Sequence, residues 1–193
     1  MTDIVSSTLL KLIAISLSAD IIFMPSAYAQ QKNKKTSEVA YGKKSDVVLA
    51  HDLWEALLQH RIVGVQRINV HAYKGKPPHG RIQQVYATAV TVQGHKGKVI
   101  VKANHTKKGV TVQGVYDHPN KYLSSYTVMF ANKPGYDPEN KNWFWVRYFA
   151  SGEIARSNTG VVVAGRVGKI AKVGCIGCHK KLGGEDLEAL TSK

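Results

Sequence analysis

Ile82-Gln83-Gln84-Val85-Tyr86-Ala87-Thr88-Ala89-Val90-Thr91-Val92-Gln93 is rich in β-branched residues, the kind that pack well on a pleated surface, and it reads as a strand. Stretches of similar character flank it on both sides: Ile62 to Tyr73, Lys98 to Asn104, Val110 to Tyr116, Tyr122 to Ala131 and Trp143 to Ala150. Turn-forming runs separate them, notably Lys76-Pro77-Pro78-His79-Gly80 and Gly135-Tyr136-Asp137-Pro138-Glu139-Asn140. The expected fold class is therefore mainly β (α+β): an antiparallel β-sheet, not a helical bundle.

Helices are expected only at the two ends. Ala50, Leu53, Trp54, Leu57 and Leu58 recur at helical spacing up to His60, with Ser45 as a cap. Gly183-Gly184 breaks the chain near the other end, and Leu187 and Leu190 suggest a small packing helix over Glu185 to Thr191. Residues 30–44, with Lys32, Lys34, Lys35, Lys43 and Lys44, read as a flexible lysine-rich leader to a single domain over 45–193. Ahead of them, Leu9 to Met24 is apolar apart from Lys11, Ser16, Ser18 and Asp20. It runs into Pro25-Ser26-Ala27-Tyr28-Ala29, an Ala-x-Ala cleavage pattern, so residues 1–29 read as a signal peptide. The chain is expected to be exported to the periplasm or an equivalent compartment.

Charge bounds the partners. The formal net charge is +14, and losing Lys11, Asp3 and Asp20 with the signal would raise it by one. Such a surface steers toward anionic partners, among them an acidic redox protein. No nucleic-acid-binding motif accompanies the charge, so nucleic acid is not expected.

Chemistry concentrates in Gly174-Cys175-Ile176-Gly177-Cys178-His179, which holds both cysteines of the chain. Cys-x-x-Cys-His is the attachment signature of c-type haem: two thiols bond the cofactor and the adjacent imidazole takes an axial iron position. Three other readings compete. A disulfide would close a very small ring and give His179 no part. A structural zinc site wants four ligands, and no second Cys-x-x-Cys completes it. A thioredoxin-like pair should open a helix near the start of a βαβ unit, whereas this one lies close to the C-terminus. One covalent haem c, ligated by His179, is the reading carried forward. Familiar small c-type cytochromes are helical and supply a methionine from behind the motif; here no methionine follows His179, and Met129 is the one methionine after residue 29.

Three stretches resemble the cytochrome P-460 and cytochrome c′-beta superfamily, β-rich single-haem proteins with the motif at the C-terminal end. They are Gly97-Lys98-Val99-Ile100-Val101-Lys102; Tyr126-Thr127-Val128-Met129-Phe130 followed by Gly135 to Trp145; and Val173 to His179. The resemblance implies one of two functions. In the P-460 type a lysine is joined covalently to the macrocycle and hydroxylamine is oxidised; Lys102 falls on that lysine. The ordinary alternative is a strand lysine pointing to solvent. Such an oxidase also needs a base beside the iron. The family places a carboxylate on the strand, near the position that is Thr127 here, and this chain lacks it. Asp117 or His118 is a possible substitute, though Tyr-Asp-His-Pro also reads as plain turn chemistry.

In the c′-beta type, bulky apolar side chains line the distal face and small gases such as nitric oxide bind. Phe130, Phe144, Phe149, Trp143, Trp145 and Tyr126 are candidates for that cap. A third reading is a six-coordinate electron carrier, with Met129 as the sulfur ligand or a nitrogen from His51, His60, His71, His79, His95, His105 or His118. Thr127, Met129 and Phe130 are thus the distal-side candidates. Members of the family form dimers, so a homodimer or a hetero-oligomer with another cytochrome is expected.

Overall fold

The computed structural model describes residues 40–168, 174–182, 187 and 188. All belong to the compact unit Ser37–Lys193. The signal-peptide reading, and most of the leader and of the expected helix over Glu185 to Thr191, lie outside the described residues.

Six strands form one antiparallel sheet in chain order: β1 (Ala72–Lys74), β2 (Ile82–Val92), β3 (His95–His105), β4 (Leu123–Ala131), β5 (Trp143–Phe149) and β6 (Ala164–Gly165). The sheet is mainly-β architecture of the expected kind, with a few helices set around it. Alternation sorts the side chains into two layers. Tyr86, Val90, Val99, Val101, Tyr126, Val128, Phe130, Phe144, Val146 and Tyr148 share one face, which packs against the first helix, α1 (Lys44–Gln59). Leu49, Ala50, Leu53, Trp54 and Leu57 supply the helix's side of that core at the spacing read from the sequence. Tyr148 donates its hydroxyl hydrogen to the Ala50 carbonyl at 2.6 Å, tying sheet to helix.

On the opposite face, Ile100, Met129, Trp143 and Trp145 form a smaller cluster with Val167, Ile176 and Leu187. Ile176 belongs to a C-terminal helix (Cys175–Leu182). Among the described residues no helix is long and apolar enough to cross a membrane.

Four local expectations need correction. Val110 to Tyr116 is not a strand; Val112–Asp117 forms a short helix, α2, and the C-terminal helix is accordingly α3. The Thr111 side chain accepts a hydrogen bond from Gly114 N at 2.9 Å, and Val112, Val115 and Tyr116 turn one helical face to Ala72 and Ile82. Their β-branched character misled; their three- and four-residue spacing was the better signal. Ile62 to Tyr73 is a strand only at its end, because Gly64 turns the chain at φ 81° and Arg67 donates to the carbonyls of Gly64 and Pro119. Helix α1 is capped at Lys43, whose N–H donates to the Asp46 carboxylate at 3.1 Å, so Ser45 falls inside the first turn. Tyr41 bridges to Gly165, and Gly42 N donates to Ala164 O, so the end of the expected leader is part of the fold.

Candidate functional site

Pairing across β3, β4 and β5 sets two rows of side chains on the face away from α1. Lys102 lies opposite Thr127, and Thr127 opposite Arg147; in the next row, Ile100 lies opposite Met129 and Met129 opposite Trp145. Helix α3 lies over this patch, and His79 enters from the β1–β2 connection. Between them is a narrow cleft lined by His79, Ile100, Lys102, Thr127, Met129, Trp145, Cys175 and His179.

Each histidine of the cleft is held by one ring nitrogen. His179 Nδ1 lies 2.6 Å from the Leu187 carbonyl oxygen. A carbonyl only accepts, so Nδ1 carries the hydrogen and Nε2 keeps its lone pair. Burial pushes the His179 pKa down, partly opposed by that hydrogen bond. The Trp145 ring packs against His179 with centroids 4.7 Å apart. His79 Nδ1 is 3.0 Å from Thr127 Oγ1, and its pKa is pushed down to about 4, first by burial and then by the charges of Lys102, His179 and Arg147. The His79 and His179 rings stand 6.0 Å apart with their planes at 89°.

Lys102 is not the solvent-facing strand lysine of the plain reading; it is 7% exposed. Burial lowers its pKa, and Cys178 nearby opposes the shift. Behind it runs a polar chain in which Gln83 donates to Asn104, and Asn104 donates to Thr127 and Ser125.

Cys175 and Cys178 are free thiols, which sets the disulfide reading aside. Burial raises the Cys175 pKa to about 11, so its thiol keeps its hydrogen at neutral pH. Among the described residues no group of three or more His, Cys, Asp or Glu side chains is arranged to hold a metal ion, which leaves the zinc reading without a site. Nor does α3 follow a parallel strand, as a thioredoxin-like pair requires. The donor set does fit haem c: two free thiols one helical turn apart, an adjacent imidazole with Nε2 uncommitted, and an apolar wall of Ile100, Met129 and Trp145.

The sequence candidates divide between the two faces. Thr127, Met129, Lys102 and Trp145 meet Cys175 and His179 at the cleft. Phe130 does not: it lies on the opposite face in the α1 core, as do Tyr126 and Phe144, because strand alternation turns neighbours of Met129 away from it. Trp143 shares the cleft's face, and Phe149 is exposed. Asp117 and His118 end α2, with Asp117 accepting from Gln113, and neither lines the cleft. Of the seven histidine candidates only His79 lines it. His105 is buried on the other face, and His95 and His71 are hydrogen-bonded to the Ala131 carbonyl and Tyr116. Its proline-flanked turn was legible; that the turn folds back over β4 was not.

No protein-family model matches the chain, and neither the curated proteins nor the solved structures contain a match to it.

Proposed function

We propose that the chain is an exported monohaem c-type cytochrome that binds nitric oxide or a similar small nitrogen-oxide or gas ligand and transfers electrons. The observation that carries this reading is the end of the chain. Cys175 and Cys178 are free on α3, and His179, directly after them, has Nδ1 tied to Leu187 and Nε2 uncommitted over an apolar sheet face. When bound, the haem would supply a redox-active iron able to take up a small ligand. Cys175 and Cys178 anchor it, and His179 is oriented for the iron by its bond to Leu187. Ile100, Met129 and Trp145 would give the bound group an apolar wall. The formal charge of +14 favours an acidic redox partner, and a homodimer or a pairing with another small cytochrome belongs to the same proposal.

The test is chemical. The full chain, produced in a host that attaches haem c, is expected to keep its pigment in acidified acetone. The Cys175→Ala/Cys178→Ala double variant is expected to release it. Colourless wild-type protein, or pigment extracted from it, overturns the proposal.

One observation supports a second reading, a hydroxylamine-oxidising enzyme of the P-460 type with Lys102 joined to the haem. That observation is the burial of Lys102 in the cleft beside Cys178. Mass spectrometry of the tryptic haem peptide separates the two. A peptide carrying both the Cys175–Cys178 segment and the Lys102 strand supports the enzyme; the cysteine segment alone removes it.

A further inference from the structure

We propose that His79 is the second axial ligand of the iron, opposite His179. This inference rests on the haem reading above and adds to it an occupant for the sixth position. The carrying observation is the spacing of the two rings. With metal–imidazole bonds of about 2.0–2.1 Å and a ring centre roughly an ångström beyond its nitrogen, two imidazoles sharing one metal stand about 6 Å apart. His79 and His179 are separated by 6.0 Å between ring centroids, with planes at 89°, an arrangement that keeps the two rings from stacking.

The hydrogen bonds point the same way. A histidine that ligates a metal usually has its other nitrogen engaged by an oxygen, which sets the ring and leaves the ligating nitrogen bare. His179 has this on Leu187 O at 2.6 Å; His79 Nδ1 is engaged 3.0 Å from Thr127 Oγ1, a hydroxyl able to accept its hydrogen and leave Nε2 bare. Two histidines far apart in the chain, one on the β1–β2 connection and one on α3, thus enter one cleft with the same nitrogen engaged.

The loop that carries His79 is braced. Gly75 N donates to Arg81 O at 2.8 Å, and His79 N to Lys76 O at 3.3 Å. A Cβ at Gly80 would lie 3.2 Å from His105 N, so the loop rests close on β3. Lys102 and Met129 also line the cleft and are the rival ligands. Neither combines an imidazole's affinity for iron with a ring facing His179 at 6.0 Å. With His79 in that position, a gas would bind only after His79 had moved away.

The test uses the full chain with haem attached. Ferric wild-type protein is expected to be low-spin by absorption and electron paramagnetic resonance, with hyperfine coupling to two imidazole nitrogens. His79→Ala is expected to become high-spin, to return to low-spin on adding imidazole, and to bind carbon monoxide in the ferrous state at least tenfold faster. High-spin wild-type iron, coupling to a single imidazole, or a low-spin spectrum that survives in His79→Ala overturns the proposal. So does a low-spin spectrum lost in Lys102→Met or Met129→Ala but kept in His79→Ala. The wild-type spectra decide the matter even where His79→Ala does not fold. Protein without covalent pigment overturns the haem reading itself and is told apart by its colourless band after denaturation.

Discussion

Lys102 on β3 and Thr127 on β4 stand directly opposite each other across the sheet, and both face the cleft that receives Cys175 and His179. The pair sets an amine and a hydroxyl beside the proposed iron, on a wall that is otherwise apolar. A cation there favours the reduced iron, because ferric iron carries the extra positive charge. Lys102→Met keeps the side chain's bulk and removes that charge. At an effective dielectric near 20 and a separation of roughly 8 Å, the change is on the order of 2 kcal/mol, or roughly 90 mV for one electron. The midpoint potential is expected to fall by that amount in a spectroelectrochemical titration. A potential that stays or rises denies Lys102 any electrostatic hold on the iron.

His105 makes stability depend on pH without touching the cleft. Gln84 spends both amide hydrogens on Asn69 Oδ1 and Val70 O, each at 2.7 Å, so its Oε1 is left to accept from His105 Nε2 at 3.1 Å. His105 Nδ1 is buried with no partner, which suits a lone pair and not a second N–H. Burial first, and Arg67 second, lower the His105 pKa from 6.5 to about 4. Between those values the unfolded chain binds a proton that the folded chain refuses. The contribution of His105 is therefore whole above pH 6.5 and is lost as the pH falls toward 4. The loss is of order 3 kcal/mol. Guanidinium midpoints at pH 7.5 and 4.5 are expected to diverge for the wild type and to diverge less for His105→Gln, in which His79 and His179 keep their own lowered pKa values. Equal slopes for the two proteins exclude this residue as the source.

The sheet was legible from composition because β2, β3, β4 and β5 are long and bounded by turns. The cleft was legible only in part. Lys102 and Ile100 share a face by alternation, but one apolar neighbour does not reveal whether that face is covered. The cover comes from α3, far along the chain. Alternation also separates Phe130 from Met129, a distinction that aromatic content alone hides. His79 stood among seven histidine candidates and could not be singled out, because its turn is local while its contacts with Thr127 and His179 depend on how β1 and β2 pair and where α3 lies. Val112 to Asp117 shows the reverse error, in which β-branched residues outweighed a helical spacing and a threonine cap.

Trp54 is the side chain of α1 that grips the sheet. Its ring lies 5.7 Å from that of Tyr126 and 4.9 Å from that of Tyr148, and a Cβ at Gly152 would strike it at 2.5 Å. Trp54→Ala is expected to cost about 3–5 kcal/mol, the usual result of emptying a packed aromatic site. Guanidinium denaturation should show a lower midpoint with an unchanged slope. The haem absorption should persist in the absence of denaturant, because the helix lies on the far face of the sheet from Cys175. A loss below about 1 kcal/mol shows that α1 is held by its other contacts.

Two glycines set the entry into α3. Gly168 has φ 83° and Gly174 φ 136°, and a Cβ built on Gly174 would lie 2.8 Å from the Gly168 Cα. Immediately beyond, Ile176 N donates to Val167 O at 3.1 Å, fixing the start of the helix that carries Cys175, Cys178 and His179. Gly174→Ala meets both obstacles: a backbone conformation that costs an L residue about 1–3 kcal/mol, and a backbone contact that no side-chain rotation relieves. The ladders of β2, β3, β4 and β5 pair strand to strand without this segment, so the strand signal in circular dichroism is expected to remain. What should suffer is the approach of Cys175 and Cys178 to the sheet face, read as a several-fold lower yield of covalently attached haem per folded chain. A Gly174→Ala protein with full haem occupancy and wild-type spectra shows that the glycine pair does not set α3 on the sheet.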